Sequence, residues 1–146
     1  MAEVIAVNIS LKKGEIKHPQ DQISLKLHHG IVGDAHAGDW HRQISLLAEE
    51  SIDEMRRVSD YQFDPGVFAE NITTEGIDLK HLPIGTRLRV GETEIEITQI
   101  GKKCHNDCAI KQQVGKCVMP TDGVFAVVVT EGTVRPGDPI EILDAE

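Results

Sequence analysis

All three cysteines of the chain, Cys104, Cys108 and Cys117, fall between Gly101 and Pro120, together with four lysines and a single acid, Asp107. Neighbouring ammonium groups favour thiolate over thiol, and the thiolate is the form that attacks, carries sulfur or binds metal. Cys104 follows Lys102 and Lys103 directly and stands just past an alternating strand, so it is the candidate reactive sulfur. The same stretch allows a zinc reading, since Cys104, His105, Cys108 and Cys117 offer soft ligands. Against it, no second CxxC-type knuckle exists, and neighbours on a regular strand face opposite ways. Small buried cysteines with no chemical task are the remaining alternative.

A second constellation runs from Gly30 to Gln43 and contains Gly33, Gly38, His36, His41 and Arg42. Its glycines make it a loop whose backbone N–H groups can approach a ligand closely. Arg42 is suited to a bidentate grip on phosphate or carboxylate. His36 and His41 can bind metal, move protons or do neither. The glycine spacing matches neither G-x-G-x-x-G nor the Walker pattern, so no nucleotide fingerprint is present. A third piece, Phe68 to Leu79, carries Asn71 and Thr73, which either meet a ligand or satisfy backbone groups at a turn.

The elements that must position these groups are mostly strands. Glu3 to Ser10, Ile23 to His28, Arg87 to Val90 and Glu94 to Thr98 alternate apolar with polar residues, and Val124 to Val129 is a continuous apolar run. Gly91-Glu92 predicts a two-residue turn, hence a hairpin over 86–100. Pro139 to Leu143 reads as a closing strand. From Leu46 to Val58 the spacing turns helical, with Ser45 as N-cap and Asp64-Pro65-Gly66 redirecting the chain. A second short helix is expected between Asn106 and Val114. The expectation is therefore a mainly β, barrel-like fold with one or two short helices. Only five aromatic residues are present, so Ile, Val and Leu must fill its interior.

Composition bounds the rest. The 146 residues suit one domain spanning 1–146, and 40% hydrophobic content is enough for a packed core. With 15 Lys+Arg against 24 Asp+Glu, the formal charge is −9, which argues against nucleic acid as partner. The N-terminus reads as no signal peptide, and no apolar run is long enough to cross a membrane, so a cytoplasmic protein with reduced thiols is expected.

Taken in order, the blocks G-D-x-H-A-G with R-Q-I-S-L-L (within Gly33 to Leu47), E-N-I-T-T-E-G-I-D-L (Glu70 to Leu79), L-P-I-G-T-x-L-x-V-G (Leu82 to Gly91), T-Q-I-G-K-x-C (Thr98 to Cys104), G-V-F-A (Gly123 to Ala126) and V-R-P-G-D (Val134 to Asp138) resemble the MOSC family, named after the C-terminal domain of molybdenum cofactor sulfurases. The resemblance implies a barrel-like β fold and a role in molybdenum-cofactor or sulfur chemistry. It implies that Cys104 corresponds to the cysteine that is the thiolate on molybdenum in larger relatives, which include bacterial reductases of N-hydroxylated compounds and the mitochondrial amidoxime-reducing component. A soft thiolate suits that metal.

On this resemblance Cys104 is the catalytic and metal-ligating residue. Arg42, Lys102 and Lys103 supply positive charge to the pterin phosphate, and His36 joins them as a cofactor-binding residue. Asn71 and the Gly33-to-Gly38 loop shape the pocket. The implied partners are the molybdenum cofactor (molybdopterin) or a sulfur donor or acceptor protein. Three alternatives stay open: a molybdenum-dependent reductase fed by a redox partner, a persulfide carrier in which Cys108 or Cys117 resolves Cys104, and a structural zinc module. Catalysis itself is left open by the sequence. The pyridoxal-phosphate domain of the cofactor sulfurases has no counterpart, so that cofactor is not expected. Two departures stand out: Ala69-Glu70-Asn71 replaces a frequent Gly-Glu-Asn, and no counterpart of the extra segments of the reductase relatives is expected.

Overall fold

Alternating strands set the frame. The computed structural model describes residues 2–12, 16–57, 64–101 and 122–143. In chain order these form β1 Glu3–Ile9, β2 His18–Gln20, β3 Ile23–Lys26, β4 Gly30–Ile31, β5 Ile44–Ala48, α1 Glu49–Arg56, β6 Ile72–Glu75, a 3₁₀ turn Leu79–His81, β7 Arg87–Val90, β8 Thr93–Ile100, β9 Val124–Thr130, β10 Gly132–Val134 and β11 Ile140–Leu143. Eight strands pair in the order β11-β7-β8-β9-β5-β6-β1-β2, and a smaller sheet runs β10-β3-β4. The fold is mainly β with one α-helix among the described residues. No helix among them is long and apolar enough to cross a membrane.

The expected hairpin forms as the alternation requires. Val90 pairs with Thr93 and Leu88 with Ile95 across a Gly91-Glu92 turn, which sends Leu88, Val90, Ile95 and Ile97 to one buried face. Gly91 sits at φ +59, and a Cβ there would lie 2.5 Å from Asp138 Oδ2. Those side chains join Val4, Val7, Ile44, Leu46, Ile72, Val124, Ala126 and Val128 in the principal core. Each fully buried aliphatic side chain of this kind contributes about 1.5–3 kcal/mol.

A second core lies on the other face of the same sheet, where Leu47 and Phe125 pack with Ile52 and Met55 of α1 and with Val67, Phe68 and Ala69. Because β5 is covered on both faces, Ile44, Ser45, Leu46 and Leu47 are all buried. This overturns the expected helix start. Residues 44–48 are strand, α1 begins at Glu49, and its N-cap position is Ala48, with no side-chain cap hydrogen bond. An apolar run buried on both sides carries no periodicity that separates strand from helix. Ser45 therefore faces inward from β5 instead of capping. β5 and β6 run parallel, which demands a long crossover. Helix α1 and the segment ending at Asn71 are that crossover. The second expected helix, Asn106 to Val114, lies outside the described residues.

The expected barrel is not closed. Among the described residues, edge strands β11 and β2 do not pair, and the two ends of the sheet meet at an isolated bridge between Glu3 and Pro139, with Val4 N–H donating to Asp138 O (2.8 Å), Gly137 N–H to Val4 O (2.7 Å) and Ile140 N–H to Ala2 O (3.0 Å). The turn Arg135-Pro136-Gly137-Asp138 bends the chain away immediately before that point, so no continuous ladder forms.

One glycine is fixed by a close approach. Gly66 sits at φ +90, and a Cβ there would stand 2.3 Å from the carbonyl oxygen of Lys17. Gly85, at φ +96, has nothing within 4 Å of the same virtual atom. Both alanine substitutions incur a left-handed penalty of about 1–2 kcal/mol. Only Gly66→Ala adds a backbone collision, of about 1–3 kcal/mol. Urea denaturation should therefore place Gly66→Ala below Gly85→Ala by about 2 kcal/mol; equal losses would contradict the packing of Gly66 on Lys17.

Candidate functional site

Lys17 is completely buried, and its surroundings follow from that. Its ammonium donates to Asp34 Oδ1 at 2.7 Å, Ser10 Oγ at 3.0 Å and His36 Nδ1 at 3.1 Å. An unpaired buried ammonium is too costly to keep, so Asp34, equally buried, must face it. Asp34 also accepts the backbone N–H of Ser10 (3.1 Å) and of His36 (3.0 Å). Burial by itself pushes the Asp34 carboxyl up. The hydrogen bond and charge of Lys17, with the two backbone donors, more than reverse this and hold it below the usual carboxylate range. Of the ion pair and the imidazole, only His36 reaches solvent, with 23% of its side chain exposed. The sequence reading names His36 but misses Lys17 and Asp34. The available signal is the Asp34-Ala35-His36 spacing, because an Asp side chain commonly accepts the N–H two residues on.

The loop that carries His36 also carries Arg42. Its two ends are pressed together: a Cβ on Gly30 would lie 2.8 Å from the carbonyl oxygen of Gln43. Between them, Trp40 Nε1 donates to the His36 carbonyl at 2.8 Å. The Arg42 guanidinium lies over the Trp40 ring, 4.6 Å from its centroid, and 5.6 Å from that of Phe125. Such stacking orients a guanidinium without neutralising it. Arg42 Nε is buried and has no hydrogen-bond partner among the described residues, which also provide no ion pair to this side chain. A fixed cation with an unused buried donor fits an anion.

Next to Arg42, His41 ties the loop to β8. Its Nε2 meets Gln99 Oε1 at 2.8 Å, Gln99 Nε2 donates to Gly101 O at 2.7 Å, and the Thr98 hydroxyl donates to the His41 carbonyl. Gly101 is where the described chain leaves the sheet, its N–H bonded to Gly123 O at 2.7 Å. Lys102, Lys103 and Cys104, and with them Cys108 and Cys117, lie outside the described residues. Cys104 stands three residues along the chain from Gly101.

Asn71 belongs to a buried polar network. Its Oδ1 accepts the N–H of Ser45 at 2.9 Å and the Ser45 hydroxyl at 3.1 Å, and its Nδ2 donates to Asn8 O at 3.1 Å. Asn71 has no exposed surface and binds β5 to β1, so it supports the site as framework. Beside it, Glu70 accepts from Gly66 N–H, Phe68 N–H and the Thr73 hydroxyl. Ala69, between Phe68 and Glu70, takes φ +65, a backbone region that glycine enters without steric cost.

Elsewhere, a cavity of about 530 Å³ opens between α1 and the 3₁₀ turn. Glu50, Glu54, Asp78 and Asp122 line it against Lys80 and His81, a balance that disfavours an anion. Among the described residues no group of three or more His, Cys, Asp or Glu side chains is placed to hold a metal ion.

The Lys17–Asp34 pair has a measurable signature. Asp34→Asn leaves a buried ammonium without its counter-charge, which should lower stability at pH 7 by about 3–5 kcal/mol. Because the folded Asp34 value is depressed, the pair's contribution is present above the ordinary carboxylate value of about 4 and fades as pH falls through the lower folded value. Denaturation at pH 7 and pH 3 should show wild type and variant converging at acid pH; a constant difference would count against the ion pair.

The fold is shared with solved proteins. YuaD from Bacillus subtilis superposes with a TM-score of 0.77 at 19% identity, covering 97% of this chain and 96% of that one. YiiM from Geobacillus stearothermophilus gives 0.77 at 19% identity over 99% of this chain and 76% of that one. YiiM from Escherichia coli gives 0.73 at 20% identity, with 99% and 70% covered. No curated protein matches the sequence. The family model described as "MOSC domain" matches residues 33–141, from the glycine loop to the last strand, and the chain belongs to the MOSC domain family.

Proposed function

We propose that this MOSC domain binds molybdenum cofactor, with Arg42 receiving its phosphate and Cys104 providing the thiolate. The observation that carries this reading is the buried, unpartnered Arg42 Nε, in a guanidinium held over Trp40 and Phe125. Membership of the family supplies the cofactor class. The donor set fits the group: a planar cation matches a phosphate bidentately, and a thiolate is a soft ligand for a metal otherwise held by sulfur.

Each part of the chain then has a task. Trp40 and Phe125 hold the guanidinium plane in place. The His41–Gln99–Gly101 bridge ties the Arg42 loop to the end of β8, three residues ahead of Cys104. Lys102 and Lys103 add positive charge for the phosphate and favour the Cys104 thiolate. Asn71, through Ser45 and Asn8, keeps the strands beneath the loop in register. When bound, the cofactor supplies a metal centre able to exchange two electrons or to take sulfur. A sulfur donor or acceptor protein, or a redox partner, is the macromolecule such a site would meet.

The test is production in a host that makes the cofactor, followed by elemental analysis and pterin fluorescence after oxidation. Wild type should carry molybdenum and pterin in equal amounts. Arg42→Met removes a charge-assisted contact worth about 1.5–3 kcal/mol, so pterin retention should fall about tenfold or more. Cys104→Ser should lose molybdenum. Zinc in place of molybdenum, or unchanged metal and pterin in both variants, would overturn the assignment.

A further inference from the structure

The ammonium of Lys17 does more than neutralise Asp34. It has three protons and no lone pair, and it stands 3.1 Å from His36 Nδ1. With Asp34 at 2.7 Å the lysine stays charged, so Nδ1 can only accept. The ring proton must then sit on Nε2. A second proton on Nδ1 would be aimed at the ammonium and would have to break that contact. Asp34 Oδ2 lies 3.8 Å from Nδ1, beyond hydrogen-bond reach, and is already engaged by the His36 backbone N–H at 3.0 Å. The carboxylate therefore offers no competing acceptor that would draw a proton to Nδ1. The backbone is held as firmly as the side chains: Ala35 N–H donates to Ser10 O at 2.8 Å, and Lys17 N–H to Gly66 O at 2.9 Å.

We infer that Lys17 is a positioning residue that fixes His36 as a neutral imidazole protonated at Nε2, so that His36 serves the site as a hydrogen-bond donor to an anionic oxygen. It does not act as a metal ligand through Nδ1 or as a proton acceptor there. The donor belongs to the same loop as Arg42, and Trp40 links them: its indole N–H holds the His36 carbonyl while its ring underlies the guanidinium. One loop thus carries, six residues apart in sequence, a neutral donor and a cation stacked on Trp40, the two kinds of group that bind a tetrahedral oxyanion such as phosphate. Only the identity of the acceptor rests on the function proposed above; the tautomer does not.

The experiment uses the full chain labelled with ¹⁵N-histidine and a long-range ¹H–¹⁵N correlation spectrum at pH 7, without cofactor. His36 is assigned among the seven histidines by its loss in His36→Gln. The expected pattern is a bare Nδ1 and a protonated Nε2. An Nδ1–H tautomer, an imidazolium or an averaged pair in wild type would overturn the inference, with no variant required. In Lys17→Met, if it folds, the His36 pattern should move to an exchanging mixture; an unchanged pattern would show that Lys17 does not set the tautomer. Titration with inorganic phosphate should shift the Nε2 and Hε2 resonances in wild type and fail to do so in Arg42→Met. A correct tautomer with no phosphate response would overturn the oxyanion role while leaving the tautomer standing. A correct tautomer with a phosphate response, in a protein that carries no molybdenum or pterin, would separate this inference from the cofactor reading.

Discussion

A lysine ammonium with no access to water dictates the arrangement of everything near it. Lys17 has to find one counter-charge and acceptors for its remaining protons, because an isolated buried charge would sooner unfold the region than persist. Asp34, Ser10 and His36 meet that demand, and they come from the end of β1 and from the glycine loop. Gly66 presses on the Lys17 backbone from the crossover. Three stretches of the chain, at residues 10, 34–36 and 66, are thereby fixed to one residue. The loop that carries Arg42 is built on that anchor, so the placement of His36 within it follows from a cation buried away from water.

The large-scale frame was legible because it depends on periodicity. The 86–100 hairpin follows from strict alternation and a Gly-led turn, and it forms with the register that alternation demands. The start of the helix, with Ser45 as its cap, was misread for an equally physical reason. A strand covered on both faces looks like any apolar run, and the helical spacing further on in α1 extends back into it. Lys17 was invisible to such reasoning, since nothing in Glu15-Ile16-Lys17-His18 distinguishes a buried lysine from a solvated one. Its partner is a carboxylate seventeen residues away. Tertiary pairing of this kind leaves no local signature. Arg42 and His36 were picked out by residue type and loop context, but what surrounds them, Trp40 and Phe125 for the one and Lys17 for the other, is brought to them only by the fold.

Charge distribution gains meaning once it is placed. An acidic chain of net −9 repels anions on average, so an anion needs a local exception. Arg42 offers one: among the described residues it forms no ion pair, and its buried Nε has no hydrogen-bond partner. The acid-lined cavity beside α1 has the opposite character. On charge, the phosphate proposed above suits the Arg42 loop better than that cavity.

Two buried carboxylates then show how partner type, at similar burial, decides what a site can do. Asp34 faces a full positive charge and is held below the usual carboxylate range, so its stabilising contribution is present above about pH 4 and is lost on acidification. Glu70 is driven the other way. Burial pushes it up, and the donors around it, Gly66, Phe68 and Thr73 among them, only partly offset that rise. With a raised folded value, its contribution is complete below the ordinary glutamate range and fades as pH climbs through the raised value. Dipoles hold Glu70 in place without compensating its charge, which suits a strut that shapes the crossover around Ala69. A full counter-ion does compensate, and it keeps Lys17 charged. Only a charged Lys17 can leave His36 no choice of protonated nitrogen, so the cation buried to stabilise the loop is also what gives the loop its direction toward a ligand.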